Sequence, residues 1–266
     1  MAGPRLAAVR HRPARAAARR RDAALDARLA HPIFEPLRPW LDALGAEPSL
    51  GALNAASERA GLRTESGRAL RFVAPGRADP YYEVRVFESG QVQTRAGNRH
   101  DWFNALCWLA FPRTKARINA LHAAAIPREG GRRGRLRDLL TILDEGGALV
   151  ACADASLNAL IREFRWKALF WGERARVRTS MRFLVLGHAT LEQALDPRPG
   201  ITCKALFIDP RRDADAQAAE WLAQLPGDAS PRLLAPLPVF GFPGWLAEGE
   251  RAAFYDDRRY FRPLRE

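Results

Sequence analysis

The most informative segment of the chain is Asn98-Arg-His-Asp-Trp-Phe-Asn-Ala-Leu-Cys-Trp-Leu-Ala-Phe-Pro-Arg-Thr-Lys-Ala-Arg-Ile-Asn-Ala-Leu-His122. Its polar residues recur at helical spacing within an otherwise apolar run, and Pro112 suits the first turn of a second helix. We therefore predict a helical hairpin. A polar group on a buried helix face must find a partner, so this arrangement indicates a site.

Each predicted helix of the hairpin carries a trio of residues on one face. On the first helix the trio is His100, Asn104 and Trp108. On the second helix it is Lys115, Asn119 and His122. Two antiparallel helices could bring the histidines and asparagines together, where they could bind a metal or polarise a substrate. The alternative is that they only tie the hairpin together by hydrogen bonds.

Two later segments could add ligands to this cluster. His188 and Glu192 follow Gly187 at a spacing of four residues, which on a helix lets both side chains reach one metal ion or each other. Asp144 precedes Glu145 and a pair of glycines, and its carboxylate could point into a shared cleft. The alternatives are a surface helix pair for the first segment and ordinary turn chemistry for the second.

Together these residues define a hypothetical metal-dependent site. The predicted metal ligands are His100, His122, His188 and Glu192. The predicted catalytic residues are His100, Asn104, Asn119, His122 and Asp144. Neutral imidazoles and carboxylates suit a divalent Zn, Mn or Fe ion, and such an ion could activate water for hydrolysis.

Cationic residues near the start of the second helix indicate an anionic substrate. Arg113 and Lys115 could bind an anion such as phosphate there, although a solvated helix start is the alternative. The basic loop Arg128–Arg137 could contact nucleic-acid phosphates, or it could simply be flexible. We therefore predict an anionic small-molecule substrate, with nucleic acid as the alternative partner.

Composition limits the class of protein. The chain has 266 residues, 47% of them hydrophobic and 27% charged, as in an ordinary globular protein. Its net charge is +12, but all except three of its 42 basic residues are arginine, which GC-rich codon usage explains as well as nucleic-acid binding does. The cysteines are widely spaced, which argues against a disulfide framework and favours a reducing cytoplasm. No apolar run approaches the ~18–20 residues of a membrane span.

The first residues of the chain differ from the rest. Residues 1–28 contain eight arginines, two aspartates and no aromatic residue, and they contribute +6 to the net charge. Such a segment can bury little apolar surface. We therefore predict a basic, disordered extension over residues 1–30 and a single α+β domain over residues 31–266.

Apolar periodicity predicts the remaining elements. Helices are expected over residues 37–44, 49–60, 154–171, 188–195 and 214–225, and strands over 69–74, 81–88, 91–95, 139–143, 148–151, 182–186 and 201–208. Turn residues suggest that 81–88 pairs with 91–95, and 139–143 with 148–151, as β-hairpins. Four prolines from Pro231 onward predict an extended C-terminal segment. The expected class is α+β, with β-hairpins packed against helices.

Several strings together resemble a known family. They are His100-Asp-Trp-Phe-Asn-Ala-Leu, Trp108-Leu-Ala-Phe-Pro-Arg-Thr-Lys115, Asn119-Ala-Leu-His122, Leu140-Thr-Ile-Leu-Asp-Glu145, Gly187-His188 with Glu192, Thr202 with Lys204, Pro236-Leu-Pro-Val with Gly241 and Pro243-Gly-Trp245, and Phe254-Tyr-Asp-Asp257 with Tyr260-Phe-Arg-Pro263. In this order they resemble the bacterial domain-of-unknown-function 3025 family, over residues 31–263. That family is uncharacterised, so the resemblance implies no catalytic residue.

Two functional hypotheses result. The first is a cytoplasmic, metal-dependent hydrolase with a cleft of histidine, asparagine and carboxylate side chains. The alternative is a non-catalytic protein that binds nucleic acid or an acidic partner, in which the polar hairpin is purely structural.

Overall fold

The computed structural model describes residues 24–46, 48–76, 81–129 and 132–264. Its helices are α1 (24–29), α2 (Arg38–Leu44), α3 (Leu50–Arg59), α4 (Tyr82–Ser89), α5 (Arg99–Ala110), α6 (Pro112–Ala125), α7 (Arg135–Gly146), α8 (Ala155–Arg162), α9 (Arg174–Ser180), α10 (His188–Gln193) and α11 (Ala214–Ala223). Its strands are β1 (Arg71–Val73), β2 (Gln91–Gln93), β3 (Gly147–Ala151), β4 (Arg182–Val185), β5 (Cys203–Ile208) and β6 (Ala235–Leu237). The mixed α+β class is confirmed.

A four-stranded sheet in the order β4-β3-β5-β6 separates two hydrophobic cores. Strand β3 pairs parallel with β5 and antiparallel with β4, and β6 pairs antiparallel with β5. Successive side chains of a strand point to opposite faces. Ala148 and Val150 therefore join the core that contains α5, whereas Leu149 and Ala151 join the core formed with α6, α7 and α11. Both faces of the sheet are covered by helices.

The predicted helical hairpin is confirmed as α5 and α6. The Asn98 side chain caps α5 by accepting a hydrogen bond from the Asp101 backbone N–H at 2.9 Å. Phe111 separates the two helices, and Pro112 begins α6. Proline is favoured there because a first-turn residue needs no backbone hydrogen-bond donor.

The prediction of a strand over 81–88 is wrong. Residues Tyr82–Ser89 form α4, which ends at Gly90 in the left-handed conformation with φ 74°. A β-carbon at position 90 would lie 2.2 Å from the Ala69 carbonyl oxygen, so glycine is required by both backbone conformation and space. Consequently β1 and β2 are not a hairpin. They pair in parallel, with α4 as the crossover that parallel strands need.

The second predicted hairpin is also wrong. Residues 135–146 form α7 instead of a strand, and β3 begins directly at Gly147. Leu136, Leu139, Leu140 and Leu143 stand at positions i, i+3, i+4 and i+7, which is helical spacing. Helix α7 buries Leu139, Leu140 and Leu143 in the second core. Within the described residues, none of the antiparallel strand pairs is a hairpin, because helices separate their members.

The two ends of the described chain also differ from the expectation. Helix α1 lies in the segment that we assigned to the extension, yet Leu25 and Leu29 are buried, with 8% and 4% of their surface exposed. The rest of that extension, residues 1–23, lies outside the described residues. The proline-rich segment forms β6 and short 3₁₀ turns, Pro231–Leu233 and Val239–Gly241, and is not a continuous extended strap. None of the described helices is both long and apolar enough to cross a bilayer.

Candidate metal centre

Three helices bring two histidines and a glutamate to one point. His100 lies in the first turn of α5, Glu145 in the last turn of α7, and His188 begins α10. The two imidazole Nε2 atoms are 3.1 Å apart. The Glu145 Oε2 atom is 3.6 Å from Nε2 of His188 and 3.9 Å from Nε2 of His100. Among the described residues these three form the one group with metal-binding spacing.

The second nitrogen of each imidazole is held by an acceptor. Nδ1 of His188 donates to the Asp144 backbone carbonyl at 2.7 Å. Nδ1 of His100 donates to the Glu192 carboxylate at 3.2 Å. Because both acceptors lack a proton to offer, both Nδ1 atoms carry the hydrogen of the neutral ring. The two Nε2 atoms, 3.1 Å apart, are therefore the unprotonated nitrogens of the neutral rings, and a proton or a metal ion shared by them would relieve the repulsion between their lone pairs.

The spacing of the three donor atoms matches a small coordination sphere. Tetrahedral coordination at bond lengths of ~2.0–2.1 Å places neighbouring ligand atoms about 3.3–3.4 Å apart. The observed separations of 3.1, 3.6 and 3.9 Å lie on both sides of that value. Histidines that bind a metal through Nε2 commonly donate Nδ1–H to a carbonyl or carboxylate, as both do here. The arrangement is therefore a candidate centre with three protein ligands.

Glycines at the end of α7 and directly before α10 let these two helices meet. A β-carbon at Gly187 would lie 2.6 Å from the Cα atom of Gly146 and 2.7 Å from the carbonyl oxygen of Glu145. Real β-carbons do not approach that closely, so only glycine permits this contact between the end of α7 and the start of α10. The contact places His188 beside Glu145.

Burial controls the charge states at the site. Desolvation lowers the pKa of His188 to about 4, although the nearby Asp144 carboxylate opposes the shift. Its ring is therefore neutral at neutral pH, as a metal ligand must be. Burial raises the pKa of Glu145, and the His100 imidazole opposes this effect. The side chain of His188 is only 5% exposed, whereas that of Glu145 is 42% exposed and forms the open side.

A buried ion pair lies behind the three ligands. The Lys115 side chain, 3% exposed, donates to the Asp144 carboxylate and to the Asn104 Oδ1 atom, the latter at 2.8 Å. Burial alone would raise the pKa of Asp144, but the charge and the hydrogen bond of Lys115 hold it below its usual value. The same aspartate offers its carbonyl to His188. Lys115 thus anchors a residue that orients a ligand, and it is not available to a substrate.

Asn119 and His122 lie deeper in the helical hairpin. The Asn119 amide donates to Glu83, at 2.8 Å to its carbonyl and 2.7 Å to its carboxylate. His122 accepts a hydrogen bond from Arg137 at 3.3 Å, and burial lowers the pKa of His122 to about 4. Neither His122 nor Glu192 belongs to the group of three, so it contains only His100 and His188 of the four predicted metal ligands. Glu145 is in the group instead.

The three ligands open into a cavity of about 510 Å³. Its wall also carries Tyr82, Glu83 and Arg85, together with Arg95, which is paired with Asp101 at 2.8 Å. The Arg85 guanidinium donates to Gln93 at 3.1 Å, but its buried Nε atom has no partner among the described residues. Unlike Arg95, Arg85 has no carboxylate partner among the described residues, so it is the unpaired cation of this wall.

Arg113 does not line this cavity. The start of α6 does bind an anion, but the anion is the buried carboxylate of Asp215 from α11. It accepts hydrogen bonds from the backbone N–H groups of Arg113 and Thr114, both at 2.8 Å. The N-terminus of α6 therefore binds an anion as predicted, but this anion is a side chain of α11, and the contact joins the two helices. The predicted role of Arg113 in substrate binding finds no support in this position.

Two of the five arginines of the basic loop are paired with nearby carboxylates. Arg137 contacts Glu129 at 3.0 Å, and Arg133 contacts Asp138 at 2.9 Å. Residues 130 and 131 lie outside the described residues. These pairs leave less positive charge for nucleic-acid phosphates than the sequence of the loop suggests.

Sequence reasoning missed Glu145, Glu83, Tyr82 and Arg85. The signal for Glu145 was available, because the leucine spacing of 136–143 continues a helix through residue 145. The other three lie on α4, which was mistaken for a strand.

Fold and cavity together define a mixed α+β protein with a candidate three-ligand metal centre. A family model described as a protein of unknown function (DUF3025) matches residues 70–265. The chain belongs to this family. The match contains all three candidate ligands. No curated protein and no solved structure is a match to the chain.

Proposed function

We propose that this protein is a metal-dependent hydrolase that binds a divalent ion through His100, His188 and Glu145. The observation that carries the proposal is the pair of Nε2 atoms, 3.1 Å apart and 3.6 and 3.9 Å from the Glu145 carboxylate, which can accept a cation because both Nδ1–H groups are already engaged. Zinc, manganese and iron all accept two imidazoles and a carboxylate. Three protein ligands leave coordination positions open toward the cavity, as catalytic centres require.

The chemistry of the cavity favours hydrolysis of an anionic substrate. A divalent ion at this site supplies Lewis-acid activation of water and of the substrate. Glu83, on the same wall, is the candidate general base, because burial raises the pKa of Glu83 to about 7 and so close to the working pH. Arg85 is the candidate group for holding an anion, because its recorded side-chain partner is the neutral amide of Gln93 and not a carboxylate. In this proposal Arg85 binds the anionic substrate, as the sequence predicted for Arg113 and Lys115.

Metal analysis tests the centre directly. Protein is stripped with a chelator, reloaded with Zn²⁺, Mn²⁺ or Fe²⁺ and passed through a desalting column, and bound metal is counted. We expect one ion per chain, and at least a tenfold weaker retention in His188→Ala and Glu145→Gln. The matched controls are His31→Gln and Glu58→Gln, which lie outside the cavity. Absence of stoichiometric metal, or equal loss in the controls, contradicts the centre.

Activity is a separate measurement. The reloaded protein is tested against chromogenic phosphate monoesters, phosphate diesters and anionic carboxylic esters. We expect metal-dependent hydrolysis of one class, lost in Glu83→Gln while metal retention is unchanged. Stoichiometric metal without any such hydrolysis supports the centre and contradicts the hydrolase.

A further inference from the structure

A second cavity, of about 1040 Å³, lies at the β6 edge of the main sheet. It is formed by the start of β5, by β6, by the chain after α8 and by the C-terminal segment. It shares no lining residue with the cavity of the metal centre. The proposed hydrolase uses none of its side chains.

The wall of this second cavity is cationic. It carries Lys204, Arg232, Arg259 and Arg262, and no carboxylate among the described residues that line it. Arg259 is paired with Asp257 at 3.1 Å, outside the wall. The nearest recorded partner of the Lys204 ammonium is the Leu234 carbonyl, at 3.4 Å. The metal-site cavity, by contrast, is lined by four carboxylates and two arginines. The wall of the second cavity is therefore the more positively charged of the two.

The inner side of the second cavity is aromatic. Phe164 and Trp166 line it, with ring centroids 5.5 Å apart and planes at 61°. The Trp166 indole donates to the Arg262 carbonyl at 2.8 Å, so the aromatic wall is tied to the segment that carries two of the arginines. A ligand that contacts the rings therefore lies beside the cations.

The backbone at Phe164 ends helix α8. Phe164 is the one non-glycine residue with positive φ among the described residues, at 58°. Its N–H donates to the Ile161 carbonyl at 3.1 Å, and the Arg165 N–H donates to the Leu160 carbonyl at 2.9 Å, as in a left-handed C-terminal cap. The chain leaves the helix there, and the Phe164 ring lies in the wall of the second cavity.

We propose that this second cavity binds a nucleoside diphosphate or triphosphate. The phosphates contact Lys204, Arg232 and Arg262, because charge-assisted hydrogen bonds to phosphate are the strongest contacts that these side chains make. The base packs against Phe164 and the apolar wall, where stacking on an aromatic ring tolerates any base. A base joined to two or three phosphates offers a partner to each wall, since several phosphates can contact more than one of the cations.

Titration of ADP into the full-length protein, in chelator and about 0.15 M salt, tests this proposal. Chelation excludes binding through a metal. We expect a Kd below about 1 mM. Replacement of Lys204, Arg232 and Arg262 by glutamine should weaken binding at least tenfold. The control variant carries the same loss of charge at the exposed Arg59, Arg135 and Arg212, outside both cavities, and should bind ADP as the wild type does.

The result is independent of the metal centre. The double variant His100→Ala, His188→Ala should keep ADP binding while it loses metal, so failure of one proposal leaves the other intact. No ADP binding, or equal weakening in the control variant, overturns the second site. Equal affinity for tripolyphosphate overturns the assignment of a nucleoside. Much tighter binding of a single-stranded oligonucleotide overturns the assignment of a small ligand.

Discussion

Burial shifts the pKa values of two side chains around the metal-site cavity in opposite directions. Burial raises the pKa of Glu83 to about 7, reinforced by the Asp144 charge and opposed by the hydrogen bond from Asn119. The same burial lowers the pKa of His188 to about 4. Both shifts favour neutral forms, because a partly dry cavity disfavours any charge without a partner. An ion bound between them would change that balance.

The free energy of unfolding should depend on whether the Glu83 carboxyl group is protonated. Its carboxyl has a pKa near 4.5 in the unfolded chain and about 7 in the fold. The folded state therefore binds the extra proton between these values, and its stability falls as pH rises from about 4.5 to 7. Glu83→Gln removes this titration. We expect the variant to gain on the order of 2 kcal/mol over the wild type between pH 4 and pH 8.

Denaturant unfolding at a series of pH values measures this difference. Glu88→Gln, an exposed carboxylate on the same helix, is the control. Parallel pH profiles for the wild type and Glu83→Gln would show that Glu83 is charged in the fold at pH 6.

Among the elements, the junction from α7 into β3 has the strictest geometry. Helix and strand follow each other without a loop at Gly146 and Gly147, and Gly187 packs directly on this junction. A β-carbon at Gly147 would lie 2.3 Å from the Leu143 carbonyl oxygen. The ligands Glu145 and His188 therefore depend on close backbone contact between two elements that are distant in sequence.

Gly187→Ala should disturb both stability and metal retention. The added methyl group would meet the backbone of Gly146 and Gly147, each at 2.6 Å, and backbone cannot move aside as a side chain can. We expect a loss of roughly 1–3 kcal/mol in the free energy of unfolding and weaker metal retention, because His188 shifts away from Glu145.

Thermal melts and metal counts check this expectation. Gly51→Ala is the matched control, since its nearest neighbour is the Ser49 hydroxyl at 3.8 Å and it lies within helix α3. That variant should gain roughly 0.5–1 kcal/mol from helix propensity. Equal behaviour of the two variants would mean that the junction tolerates a methyl group.

Across the whole molecule, the sheet divides the interior and the N-terminal helix completes one side. The core that contains α5 also includes Leu25 and Leu29 of α1. The same core contains residues far along the chain, such as Phe240 and Trp245. Residues 24–29 are therefore part of the folded structure, although their neighbours in sequence are rich in arginine and alanine.

Two truncations test the role of α1. A variant without residues 1–30 loses both buried leucines, whereas a variant without residues 1–23 keeps them. We expect the longer truncation to unfold with a free energy lower by roughly 3–6 kcal/mol than the shorter one, at about 1.5–3 kcal/mol for each buried leucine. Identical melting curves for the two truncations would show that α1 does not stabilise the core.

The sequence alone determined the helical hairpin, the capped helices and the strands β4 and β5. The local sequence encodes these elements through the spacing of apolar residues, through helix caps such as Asn98 and through helix-starting residues such as Pro112. It also indicated that His100 and His188 belong to a site, because histidines at such spacing are costly to bury without a partner.

Only the tertiary structure decided the rest. Alternating residues over 82–88 fit a strand, yet they form α4, because Val86 is buried and Asn119 of α6 holds Glu83 at its carbonyl. That Glu145, and not His122, lies beside His100 and His188, and that Asp215 binds the backbone of Arg113, depends on contacts between residues far apart in the chain. Local propensities differ by less than the energy of packing two elements together, so packing determines which residues meet.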